Sequence, residues 1–217
     1  DGVQFDLLTN LQFDQEEFAA KLPKEKFNRA APYAPIRVSY HPGQNKIEEL
    51  IPKMKQMMKA GYQIGIYGVL HPSIKDHILD VQAKCLAEGI DFRTKEYLGI
   101  YNKKNHGVYK YPDSFQGAIN KYCDCKTTEL LISPSGRVYR CHSDLYEARP
   151  EAGNILDPKF KIQDVYRPCF VYGHCNPCYV KVKTNRFQEY GHTSCDIENI
   201  RDLTADETAR LQRERRE

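Results

Sequence analysis

The chain has 217 residues, is 41% hydrophobic, and carries 32 basic against 29 acidic side chains, a net charge of only +3. So weak a bias argues against a nucleic-acid or membrane-surface partner, and no apolar run approaches the length that spans a bilayer. The eight cysteines come without a secretory signal pattern, which points to a cytoplasmic chain whose thiols serve a metal rather than a disulfide framework.

Residues 4–9 read as a strand, and the opening at Asp1 is expected to follow the loss of an N-terminal part. Residues 11–34 are mixed, with room for a short helix. Ile36–Tyr40 is a strand stopped by His41-Pro-Gly43. Asn45 with Glu48 suits a capping box, and Ile47, Leu50, Ile51, Met54 and Met58 recur at helical spacing before Gly61. Pro52 conflicts with an unbroken helix, so the helix should start nearer Pro52 or bend in its first turn.

Residues 63–70 form the next strand, stopped by His71-Pro72. Ser73 to Asp76 opens a second helix with Ile74, Ile78, Val81, Cys85 and Leu86 on one face and Gly89 as its stop. Cys85 on that face reads as core. Residues 90–97 are a further strand, and its Arg93, Lys95 and Glu96 fit a polar pocket or a solvated strand end equally well. Strands alternating with helices imply a parallel α/β sheet over residues 1–98. His41 and His71, at strand ends, read first as turn residues, although that end carries the active site in a parallel barrel. A sheet broken off at its first strand would leave an unpaired edge, so a missing N-terminal barrel segment is the expected partner.

Residues 99–122, rich in Tyr, Lys, Asn and Gly, read as a linker to a cysteine-rich domain over 123–203. Within it, residues 129–132 and 137–139 form a hairpin about Ser133-Pro-Ser-Gly136. Pairing Ile132 with Arg137 sets Cys141 opposite Thr128, with Cys125 just beyond. Cys175-Asn-Pro-Cys178 adds two sulfurs from one turn stiffened by Pro177. Cys125, Cys141, Cys175 and Cys178 are therefore the candidate metal ligands, and four thiolates suit zinc or a [4Fe–4S] cubane. Cys123 rivals Cys125, and Cys169 or Cys195 could replace one of the four or serve a second site. His142 and Asp144 fit either support of the metal from behind or hydrogen bonding within their loop. The basic run Lys181–Arg186 fits a surface strand or a counter-charge. A capping box at Thr204–Glu207 opens a C-terminal helix over 204–217.

Cys125 precedes Gly136 by a ten-residue gap, Cys141 follows it after four, and the Cys175–Cys178 pair comes later. In this the second domain resembles the auxiliary-cluster domain of radical S-adenosylmethionine (SAM) enzymes, the SPASM or twitch type. No further cysteines follow the pair closely, which is nearer the twitch form with one auxiliary cluster. The first part resembles the later strands of the partial radical SAM barrel, where Ser39 matches a polar residue that contacts the SAM ribose and Gly65 to Gly68 a loose glycine motif. The resemblance implies the C-terminal half of a partial barrel followed by a small α+β cluster domain. It implies an auxiliary [4Fe–4S] cluster here, and in the intact enzyme a second [4Fe–4S] cluster and S-adenosylmethionine. An electron-donor protein and a peptide or small-molecule substrate would be its partners. The signature Cys-x-x-x-Cys-x-x-Cys is absent from these residues, so the fragment alone is expected not to cleave SAM. Cys195 would be a candidate hydrogen-atom donor. The competing readings are a zinc-stabilised interaction module and a redox protein using Cys175 and Cys178.

Overall fold

The computed structural model describes residues 5–28, 30, 33–117, 120–127, 129–185 and 188–214. They form two compact units, residues 1–97 and 98–217, and among the described residues no helix is long and apolar enough to cross a membrane.

The first unit runs β1 (Leu7–Thr9), α1 (Gln15–Lys21), β2 (Ile36–Tyr40), α2 (Ile47–Lys59), β3 (Ile64–Leu70), α3 (Lys75–Ala87) and β4 (Phe92–Glu96). Its strands form one parallel sheet in the order β1-β2-β3-β4, an open sheet rather than a closed barrel. Ile36, Val38 and Tyr40 alternate inward along β2 and join Ile64, Ile66 and Phe92 in a core completed by Leu50, Met54 and Met57 of α2 and Ile78, Val81 and Cys85 of α3. Period-two alternation against a helical stripe is what buries one sheet face under helices.

Both helix starts differ from expectation. Asn45 Oδ1 accepts from the His41 N–H, so it caps the preceding turn, and the N-cap of α2 is Lys46, which makes no side-chain cap. Pro52 lies inside α2, which starts five residues earlier at Ile47. Ser73 bonds the His71 ring at 2.7 Å and leaves α3 equally uncapped. Met57 rather than Met58 faces the core, and Ile74 and Leu86 are exposed. Both helix stops are as expected. Gly61 (φ +90°) and Gly89 (φ +74°) take the left-handed conformation, and the N–H groups of Tyr62 and Ile90 reach back to the carbonyls of Met57 and Cys85, the Schellman arrangement.

Gly68 is set by packing. A Cβ there would lie 2.9 Å from Ile78 Cγ2 and 3.0 Å from Phe92 Cζ, so β3 needs glycine where α3 crosses it. Gly68→Ala should cost roughly 1–3 kcal/mol by overpacking, read as a lowered urea midpoint with unchanged slope.

The second unit begins at Leu98, so the stretch read as a linker belongs to it. A hairpin, β5 (Gly99–Tyr101) and β6 (Lys104–His106), turns through Asn102 (φ 48°) and Lys103 (φ 62°). Two positive φ angles in succession are the signature of a type I′ turn, whose twist matches the strands. Then come β7 (Lys121–Thr127), β8 (Leu131–Ile132), β9 (Arg137–Tyr139), α4 (His142–Tyr146), β10 (Gly153–Asn154), β11 (Arg167–Tyr172), α5 (Pro177–Val180), β12 (Lys183–Asn185), β13 (Gln188–His192), β14 (Cys195–Asp202) and α6 (Ala205–Glu214). The main sheet has the order β11-β7-β14, and a smaller one β10-β9-β8. The capping box of α6 forms: the Thr204 N–H donates to Glu207 Oε2 at 2.8 Å, and the Glu207 N–H donates to Thr204 Oγ1 at 3.3 Å.

The β8–β9 hairpin pairs Ile132 with Val138, one residue from the expected register. Gly136 (φ +80°) follows a turn closed from its N–H to the Ser133 carbonyl, and the left-handed glycine adds the extra residue of a bulge. Cys141 is therefore displaced from its expected partner, and Thr128 lies outside the described residues.

A candidate metal centre of clustered thiols

In an antiparallel pair, residues directly opposite one another project from the same sheet face. Cys123 of β7 stands opposite Cys169 of β11, and Cys125 of β7 stands opposite Arg167 of β11 and Ile197 of β14. Cys195 stands opposite Thr127, two residues along from Cys125 on that same face. One face of the three-stranded sheet therefore carries four cysteines. The other face carries Tyr122, Asp124 and Phe170, covered by Arg201 and by Arg210 of α6.

Two further thiols come to this face from above. Cys141 is the N-cap of α4, and its Sγ accepts from the Asp144 N–H at 3.4 Å. Cys175 is pinned through its own N–H, which donates to the buried Ser114 carbonyl at 2.8 Å. The Tyr179 hydroxyl accepts from the His142 N–H and so ties the start of α4 to α5. Tyr109, Tyr111 and Phe115, from the stretch read as a linker, pack on the buried cluster that includes Cys123, Cys195, Tyr172 and Tyr179. Cys178 sits on the first turn of α5 with its thiol exposed, and its N–H is taken by Asn176 Oδ1.

The electrostatics show which sulfurs are neighbours. The Cys123 thiol donates to Cys169, which raises Cys123 and lowers Cys169 to about 7 despite burial. The Cys195 thiol donates to Cys125 and is raised for that reason. Burial pushes Cys141 up to about 11 and Cys175 up to about 12, and each feels Cys125 and Cys169. Backbone N–H groups also reach the sulfurs, from Val171 to Cys169 and from Gly173 to Cys175. Cys125, Cys141, Cys169 and Cys175 are half-buried, whereas Cys123 and Cys195 are buried behind them. Cys125, Cys141 and Cys169 line a chamber of about 40 Å³.

Among the described residues, no three His, Cys, Asp or Glu side chains are drawn in closely enough to hold a metal ion as they stand. A single tetrahedral zinc needs its sulfurs about 3.8 Å from one another, given zinc–sulfur bonds near 2.3 Å. A cubane binds each thiolate at a separate iron corner and takes a more widely spaced set. A sulfur set with N–H donors on three sulfurs suits either group, since thiolate is the soft ligand that both zinc and iron–sulfur clusters take.

The other candidates fall out as follows. His41 and His71 close local turns through their carbonyls. Arg93 pairs with Asp91 at 3.0 Å, and Lys95 lies over the Tyr67 ring. Ser39 is half-buried beside Tyr67, on the face of the first sheet away from α2 and α3. Asp144 is buried between Arg140 and Arg149. Cys85 is buried in the first core, and its thiol is raised to about 11 by desolvation. Arg186 lies outside the described residues. Ser114 and Tyr179 have no motif to announce them; the density of aromatic residues over 109–115, a stretch read as linker, is the signal that could have marked a packed segment. No family model, curated protein or solved structure matches the chain.

Proposed function

We propose that the second unit is the cradle of an auxiliary [4Fe–4S] cluster held by Cys125, Cys141, Cys169 and Cys175. The observation that carries this is the gathering of six thiols on one sheet face, with backbone N–H groups aimed at three of the sulfurs. In this reading Cys169 takes the place that the Cys-x-x-Cys spacing gave to Cys178. Cys123 and Cys195 form the dry floor, and Tyr179 holds the two upper ligands in place. When bound, the cluster supplies one-electron transfer or a binding point for substrate. The protein's part is to fix four sulfurs, to exclude water with Tyr109, Tyr111 and Phe115, and to tune the sulfurs through N–H donors.

We further propose that the chain is the C-terminal part of a radical SAM enzyme. The parallel sheet of the first unit then provides the later strands of the partial barrel, with Ser39 toward the SAM ribose. An all-parallel sheet with its helices on one face, leaving Arg37, Ser39 and Tyr67 on the other, supports that assignment.

One observation favours a second reading. Cys123 and Cys169 are directly opposed on adjacent strands and share a hydrogen bond, the arrangement of a dithiol able to close a disulfide. Anaerobic purification followed by metal and acid-labile sulfide analysis decides between them. The expected result is a brown protein with iron and sulfide in equal amounts. A colourless protein holding one zinc, or metal-free protein with a reversible disulfide between Cys123 and Cys169, would overturn the cluster assignment.

A further inference from the structure

Beside the thiol chamber lies a larger cavity of about 310 Å³, within the range of small-molecule sites. Thr127, Arg140, Gln163 and Arg167 line both, so the two are contiguous, and two guanidinium groups stand at their junction. Arg140 spends Nε on Asp144 and Nη1 on the Pro168 carbonyl, and Arg167 spends Nη2 on Gln163 Oε1. Each keeps N–H groups beyond those bonds, and a guanidinium offers donors in a fork that matches a carboxylate. Away from the junction the wall is apolar: Leu130, Val138, Phe160 and Ile162. Lys161 adds a third cation, and of the two acids on the wall, Asp164 is paired with Lys126.

We infer that this cavity binds a small organic acid with an apolar body. Its carboxylate sits between Arg140 and Arg167, and its body lies along Leu130, Phe160 and Ile162. The carboxylate end therefore faces the chamber lined by Cys125, Cys141 and Cys169. The inference rests on the metal-centre reading only for what the acid is presented to. The binding itself needs no metal.

The test uses the full chain, once with iron and once stripped of it, and two probes of one shape, indole-3-acetate and the neutral indole-3-acetamide. Affinities come from ligand-observed NMR titration. The acetate is expected to bind at least about tenfold more tightly than the amide, as a charge-assisted pair should. Arg167→Gln should erase that preference. Ile162→Asp should weaken the acetate; this residue is 67% exposed, so the change leaves the fold intact. Equal affinity for both probes, binding of neither, or unchanged acetate binding by both variants overturns the inference. Displacement of the acetate by equimolar inorganic phosphate also overturns it, because phosphate lacks the apolar body. Acetate binding by iron-free protein sustains it even where the cluster assignment fails.

Discussion

On the proposed cluster assignment, Cys169→Ser should abolish most iron binding, while Cys178→Ser should leave iron content unchanged. The two cysteines differ in placement and not in chemistry. Cys169 lies on β11 directly opposite Cys123, feels Arg140, and receives the Val171 N–H. Cys178 points its thiol to solvent from the first turn of α5. Serine keeps the size but lacks the soft thiolate that iron–sulfur sites select. Loss of a ligand also removes folding energy that binding contributes, so the Cys169 variant should unfold at lower urea than the parent when both are prepared with iron. Iron and sulfide per chain, with thermal unfolding of each variant, check this. The opposite pattern, with iron lost only from the Cys178 variant, returns the fourth position to the Cys-x-x-Cys motif.

Replacing Asp144 by Ala should cost about 2–3 kcal/mol of stability, because it removes a buried acceptor shared by two hydrogen-bonded cations. Asp144 has a side chain only 3% exposed, and it accepts from Arg140 Nε at 3.0 Å and Arg149 Nη1 at 3.2 Å. Breaking a fully buried pair costs more than this, but these arginines are 36% and 28% exposed, so water compensates part of the loss. Asp144→Asn keeps the shape and one acceptor and should cost about half as much. Urea unfolding of the two variants gives the comparison. The effect should reach the thiols, since the Asp144 N–H donates to Cys141 and the residue sits in the first turn of α4.

The first unit was largely legible because its signals are local. Alternation along β2, the helical stripe of α2 and the glycine stops each concern a few neighbouring residues, and the structure follows them at Ile36–Tyr40, Gly61 and Gly89. The helix starts were misread because polar residues there had competing partners: Asn45 turned to His41, and Ser73 to His71. The second unit was legible only in its hairpin and in Thr204–Glu207. Its main sheet pairs β7 with strands some forty and seventy residues later, through alternating cysteines that carry little apolar pattern. That is also why Cys169 stood in the sequence only as a possible replacement for one of the four: a cysteine on a strand has no spacing motif, and the cross-strand register is what sets it opposite Cys123.

The arrangement of β7 between two such late strands has a consequence in time. The thiol face cannot close until Cys195 has been synthesised, since β14 supplies one of its sides. Pairings of such long sequence separation form slowly, whereas the helix-linked strands of the first unit can assemble while the ribosome is still at work. A cluster offered to the nascent chain would then meet scattered, unguarded sulfurs, so on the proposed assignment loading should follow completion of the chain through β14.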